Sequence, residues 1–200
     1  MATAGDLLVL PRERLTVGSV SARDADLRLL ARIGSRHAEL VRTVSFHRGV
    51  DFRIRPVGEN RVLVNGREGG EFALADGDRV RLGAVLEFRF RRPLARSATA
   101  LLDLGEGFQA EGCRRVAWLK EPGWDGALSI GVGPGVHLQA REGRARLEFC
   151  LDREGRILCR SSEEISVDGR ARGSRETAVE LGREVESGGL SVYLDGRDPL

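Results

Sequence analysis

From Arg61 to Arg92 the chain alternates apolar and polar positions with a period of two. Val80 and Leu82 alternate with Arg79 and Arg81; Leu86, Phe88 and Phe90 alternate with Glu87, Arg89 and Arg91. A strand with one dry and one wet face needs this spacing, whereas a helix would scatter those apolar residues around its axis. Asn65-Gly66 and Asp76-Gly77 separate the runs and are the dipeptides that tight turns use to place residues at positive φ. The stretch therefore predicts an antiparallel meander. Asp6–Leu10, ended by Pro11, predicts a strand before it, as do Arg14–Gly18 (Leu15 and Val17 on one face) and Val50–Ile54. Leu27–Val41 is ambiguous by pattern, because Leu27, Leu30, Ala31 and Ala38 would also form a helical stripe.

The ordered motifs of this half resemble a forkhead-associated (FHA) domain. They are LTVG (Leu15–Gly18), DADLRL (Asp24–Leu29), SRHAEL (Ser35–Leu40), Asn60, VNG (Val64–Gly66), LADGDRVRLG and a closing LEFRF strand, across roughly residues 5–93. The resemblance implies a β-sandwich of two twisted antiparallel sheets with recognition loops at one end, and a phosphothreonine peptide as the family's ligand. It also turns Leu27–Val41 into two short strands around an Ile33-Gly34-Ser35 loop.

The second half repeats these motifs. LSIG (Leu128–Gly131) echoes LTVG, RARL (Arg144–Leu147) echoes HAEL (His37–Leu40), and VDG (Val167–Gly169) echoes VNG. Leu181–Val185 echoes Asp76–Val80, and a last strand turns Leu190, Val192 and Leu194 inward. Such self-similarity points to divergent duplication. The expected fold is all-β: two tandem FHA-type sandwiches over 1–94 and 113–200. Residues 95–112 are a linker holding a possible first strand of the second domain (Ala98–Leu104). A short helix over Ser174–Glu186 is the alternative there. Trp118 and Trp124 are core candidates, with an interface between the sandwiches as the other reading.

Charge changes this picture little. The chain has 32 Lys+Arg against 30 Asp+Glu, a net +2 that favours neither nucleic acid nor an anionic membrane surface. Lys120 is the only lysine, and an arginine-rich composition is what a GC-rich bacterial genome yields. Cys113, Cys150 and Cys159 match no zinc spacing and read as buried free thiols, with a Cys150–Cys159 bridge as the alternative. The first residues have neither a basic leader nor a long apolar run, and no segment approaches the roughly 20 apolar residues of a membrane helix, so a cytoplasmic protein is expected.

The family's phosphate site can be followed residue by residue. Its arginine directly follows the glycine that is Gly18 here, and this chain has Ser19. Its serine lies three positions before the histidine that is His37 here, and this chain has Gly34. Before Asn60, where the family often has a hydroxyl or basic residue, stands the acidic Glu59. What remains is Asn60 with the structural residues of the motif, Gly18, His37, Asn65 and Gly66. Ser35, Arg36, Arg23 and Arg14 are the neighbours able to supply donors if the loops shift by a residue. His47 and His137 stand apart from any metal-ligand spacing. In the second half Gly131 is followed by Val132, and GVGPG (Gly131–Gly135) reads as a turn because it contains Pro134 and opens no helix. No nucleophile, zinc or phosphate-loop motif occurs, so neither catalysis nor a cofactor is expected. The resulting expectation is an adaptor that binds another protein through the loops of the first domain, by an atypical or phosphorylation-independent mode. The alternatives are orthodox phosphothreonine binding in kinase signalling and a structural subunit of a larger assembly such as a secretion apparatus.

Overall fold

The computed structural model describes residues 6–45, 49–120, 123 and 126–195. His47 and Trp124 lie outside them. Within the described residues the chain forms strands β1–β21 and no α-helix, and it divides into two compact units, Asp6–Lys120 and the described residues that follow Lys120.

The first unit is a sandwich of two sheets. One has the order β3-β2-β4-β5-β8, built from Leu27–Leu29, Arg14–Ser19, Ala38–Ser45, Gly49–Pro56 and Phe72–Ala73. The other has the order β1-β12-β11-β10-β9-β6-β7, built from Leu7–Pro11, Arg115–Leu119, Ala100–Asp103, Leu86–Arg91, Arg79–Leu82, Val62–Val64 and Arg67–Glu68. The period-two runs behave as their pattern requires. Leu86, Phe88 and Phe90 enter the core while Arg89 stays in water, and Leu15, Leu40, Phe52 and Ile54 meet them from the facing sheet. Leu27–Val41 contains β3 and the first half of the eight-residue β4, because extended backbone buries Leu27, Leu29, Ala38 and Leu40 in the same core.

The unit boundary differs from the sequence expectation. Residues 95–112 are not simply a linker: they carry β11, which pairs antiparallel with β10 (Phe90↔Leu102, Arg89↔Asp103). The strand β12 that follows pairs with β11 and also, in parallel, with β1 (Leu10↔Trp118). The physical reason is the open edge of β10, which β11 covers while placing Leu102, Val116 and Trp118 in the core. Trp118 is fully buried, edge-on to Phe52 at 5.4 Å between ring centroids, and donates its indole N–H to the Arg12 carbonyl at 2.8 Å. Arg42 on β4 lies over the same ring at 5.0 Å and donates to the carbonyls of Arg12 (2.8 Å) and Ala98 (2.9 Å).

The second unit repeats this topology in shorter form. Its sheets are β14-β13-β15-β16-β19 (Leu138–Gln139, Leu128–Gly131, Arg146–Leu151, Ile157–Ser161, Glu176–Val179) and β18-β17-β20-β21 (Arg170–Ala171, Ser166–Val167, Arg183–Ser187, Leu190–Leu194). These orders match β3-β2-β4-β5-β8 and β7-β6-β9-β10 strand for strand. The turns match as well. Asn65 and Asp168 both sit at positive φ (51° and 50°), and each uses its side-chain oxygen to accept the N–H two residues beyond the following turn glycine, Arg79 at 3.0 Å and Glu184 at 3.1 Å. The Asp168 carboxyl is held below its ordinary range by that Glu184 N–H and by the Arg183 guanidinium.

One detail of the repeat decides between the two sequence readings, in favour of strands over a helix, and another departs from the sequence reading. Ser174–Glu186 contains strands β19 and β20, since pairing along β16 (Cys159↔Thr177) and β17 (Val167↔Val185) satisfies its backbone. The ladders also equate Ala38 with Leu147, because Val17 pairs with the first and Ile130 with the second. The HAEL and RARL echo is thus two residues out of register. A two-residue slip leaves every side chain on its own face, so the apolar pattern cannot reveal it. Cys113, Cys150 and Cys159 are all buried free thiols; the alternative of a Cys150–Cys159 bridge is not formed, because the register (Phe149↔Cys159, Cys150↔Leu158) sets the two on opposite faces of their hairpin.

Candidate functional site: the loop end of the first sandwich

The site is assembled by three connections of the first unit: the one after β2, the one before β4, and the one between β5 and β6. Gly18 closes β2 with no space for a side chain, since a Cβ there would stand 1.7 Å from the Ser35 carbonyl oxygen. The main chain therefore runs flush against the 34–36 loop, and the Ser19 N–H donates to the Gly34 carbonyl at 3.1 Å.

His37 is the brace of this end. It is buried, and its Nδ1 accepts the Gly34 N–H at 3.0 Å while its Nε2 reaches the Arg61 carbonyl at 3.0 Å. A backbone N–H can only donate and a carbonyl can only accept, so the imidazole is the neutral tautomer with its proton on Nε2. Its main chain also bonds Val17 and Val57 (2.8 and 2.9 Å), so one residue ties together β2, the 34–37 loop and the start of β6.

Asn60 completes the frame. Its amide nitrogen donates to the Arg36 carbonyl at 3.0 Å and the Val57 carbonyl at 2.5 Å, and the same amide lies directly over Gly34. A Cβ at position 34 would sit 2.7 Å from Asn60 Oδ1. Gly34 is therefore more than the absence of a serine: the place for a side chain there is filled by Asn60.

The remaining candidates gather around this frame and carry few converging donors. Ser19 is half-buried and shares a 2.7 Å hydrogen bond with the Ser21 hydroxyl. Ser35 is exposed beside Gly18. Arg36 is exposed and lies 3.7 Å from the Asp24 carboxylate, and Arg23 is exposed without a side-chain partner among the described residues. Arg14 is turned to the Glu39 carboxylate at 3.5 Å, on the strand instead of in the loops. Glu59 is exposed and lines, with Asn60, Arg61, Arg81 and Ala84, an open groove of about 560 Å³. Arg61 is committed to Glu68, whose carboxyl it holds below the ordinary range chiefly through their hydrogen bond. Asn65 and Gly66 lie in the β6–β7 turn, where Asn65 also bonds Asp78 at 2.8 Å and serves the turn, not the loop end.

Sequence reasoning did not find the Asn60–Gly34 contact or the Arg81 side of the groove. By pattern Arg81 belongs to the wet face of a strand, and nothing in its spacing marks it. The corresponding end of the second unit is also closely packed. A Cβ at Gly188 would meet the Ala145 backbone nitrogen at 2.7 Å, and the Arg144 N–H donates to the Gly188 carbonyl at 2.7 Å. His137, just before β14, is buried against Ser129 of β13, its Nδ1 2.8 Å from the serine Oγ. Among the described residues no group of three or more metal-ligating side chains converges, and no helix is long and apolar enough to cross a membrane.

A family model matches the part of the chain that builds this end. Residues 15–83 match the family model for the FHA domain, a span that runs from β2 to the residue after β9 and includes every element of the loop end. Among solved structures, the Slr1951 protein from Synechocystis sp. is similar, with 26% identity over 42% of this chain and 83% of that one, at a TM-score of 0.36. No curated protein matches the chain. Residues 15–83 of the first sandwich thus match the FHA domain, a family of protein-interaction modules, and the second sandwich repeats the strand order of the first.

Proposed function

We propose that the chain is a non-catalytic cytoplasmic adaptor whose FHA domain docks a protein partner on the Ser19, Gly34–Arg36 and Glu59–Asn60 loops without requiring a phosphothreonine. The observation that carries this reading is the seating of Asn60 over Gly34. A phosphothreonine is recognised by several donors converging on a nearly doubly charged group. Here the family arginine is Ser19, whose hydroxyl is engaged by Ser21, and the family serine is a glycine capped by a neighbouring amide. A hydrogen bond to a charged group contributes roughly 1.5–3 kcal/mol, so two missing donors weaken binding by about 3–6 kcal/mol. That corresponds to a factor of roughly 10² to 10⁴ in affinity. Glu59 adds like-charge repulsion against a phosphate at the same rim.

What the loop end still offers is a braced frame with polar backbone edges, the Asn60 amide, and two exposed arginines of the loops, Arg23 and Arg36. Such a frame suits a neutral or acidic peptide segment held through its main chain. The second unit, with its loop end closely packed, acts as a structural companion of the first. The test is titration of the full chain with matched peptide libraries, phosphothreonine-containing and unphosphorylated. Binders shared by both libraries, and weakened by Asn60→Ala, are the expected result. Binding that disappears on dephosphorylation overturns the proposal in favour of orthodox phosphothreonine recognition.

A further inference from the structure

The two repeats differ in how their second sheet ends. In the first unit the far side of β10 is covered by β11, and β12 and β1 follow. In the second unit the equivalent strand is β21, since Val192 faces Val185 as Phe88 faces Val80. Among the described residues β21 has no neighbour on its outer side and ends its sheet.

Open edges invite pairing with another chain, and proteins blunt them with charge, proline or brevity. The other edge strands here follow that rule. β1 ends in Pro11, β3 carries Arg28, β7 is Arg67–Glu68, β18 carries Arg170 and β19 carries Glu176, while β8 and β14 have two residues each. β21 is Leu190-Ser191-Val192-Tyr193-Leu194, five residues with neither charge nor proline. Its outward side chains are Ser191 and Tyr193, the latter 63% exposed. The Leu194 carbonyl faces β20, where it accepts the Gly182 N–H at 2.6 Å. Backbone direction alternates along a strand, so the N–H and C=O of Tyr193 and Ser191 point to the empty edge.

We propose that β21 is an interaction edge whose occupant is the β21 of a second copy of this chain, paired antiparallel about Val192. The strand is complementary to itself in that register. Val192 meets Val192 of the partner subunit, Leu190 meets Leu194 of the partner subunit, and Ser191 meets Tyr193 of the partner subunit, so no like charges oppose. The outward groups of residues 191 and 193 then form about four inter-chain hydrogen bonds. The half-buried Val192 and Leu194 gain cover, and the pairing is a closed two-fold contact. The internal precedent is β10, whose same edge in the first repeat takes an antiparallel strand.

The experiment is sedimentation velocity of the full chain from about 1 to 200 μM, a range that brackets micromolar dissociation constants. Wild type is expected to show a concentration-dependent monomer–dimer equilibrium. The double variant Ser191→Lys/Tyr193→Lys sets lysine against lysine across the pair and is expected to weaken the dimer at least about tenfold. Both positions are exposed and lie opposite Glu186 and Glu184 of β20, so at concentrations where wild type is monomeric the lysine variant should keep its circular dichroism and unfold at no lower temperature. Tyr193→Pro, which deletes one outward N–H without adding charge, is expected to weaken the dimer too. Mixing the lysine variant with Ser191→Glu/Tyr193→Glu should restore a heterodimer. A strictly monomeric wild type, a dimer indifferent to the lysine pair, or charge-swapped variants that fail to join would each overturn the proposal.

Discussion

Replacing His37 by alanine should destabilise the FHA domain through its loops before its core. The imidazole is the partner of the Gly34 N–H and the Arg61 carbonyl, each at 3.0 Å, and alanine can reach neither. A stranded buried polar group costs about 1–3 kcal/mol. The Arg61 carbonyl keeps the Gly83 N–H at 3.0 Å, so the half-buried Gly34 N–H is the group left without its acceptor, and about 1–3 kcal/mol is expected. With a urea slope of about 2 kcal/mol/M, the midpoint of the first transition should fall by about 0.5–1.5 M. Amide exchange supplies the specific readout. Gly34 should lose protection more than Val80 or Phe88 in the meander, because the brace acts on the loop and not on the sheets. A loss below about 0.5 kcal/mol, the range of ordinary surface substitutions, would refute the bracing role. So would a loss spread evenly over loop and sheet amides, since that pattern belongs to a plain core cavity.

Two further outcomes follow from the site and the second core. Ser19→Arg should restore one charged donor and raise affinity for phosphothreonine peptides by about 1.5–3 kcal/mol, roughly 10- to 150-fold, in calorimetric titration; no gain would mean the loop holds position 19 away from the phosphate. Burial pushes the Cys159 thiol up to about 12 and the Cys150 thiol up to about 11, from an ordinary 9.0. Folding therefore favours the protonated thiols, and their stabilising contribution, complete below pH 9.0, is lost as pH rises through 11 and 12. Native chain should react slowly with a thiol reagent at pH 8 while unfolded chain reacts fully, and Cys150→Ala/Cys159→Ala should flatten the alkaline loss seen in pH-dependent unfolding.

Much of the fold was legible because local chemistry and global pattern agree. Asn65-Gly66 and Asp76-Gly77 are turns by the demands of positive φ, and Leu86, Phe88 and Phe90 could share a face only in a strand. The repeat was visible for the same reason at Val167–Gly169 and Leu181–Val185. What escaped was non-local. β11 has Ala100, Leu101 and Leu102 all buried, so it lacks alternation, and its partner β10 is found only when the edge of that strand is known to be open. The parallel pairing of β1 with β12 joins residues about a hundred positions apart and leaves no periodic mark. In the site, the identities of Ser19, Gly34 and Glu59 could be set against the family's pattern, but the seating of the Asn60 amide over Gly34 depends on the approach of two loops. Glycine records that approach in the sequence only as a missing side chain.

The central claim, that the loop end of the first sandwich holds a protein partner independently of phosphorylation, is met most directly by NMR shift mapping of the full chain with one bound peptide in both forms. Shifts at Ser19, Gly34, Arg36 and Asn60 that are alike for the phosphothreonine and threonine peptides are the expected result. Shifts confined to the phosphorylated form, or falling on the sheets away from these loops, would contradict it.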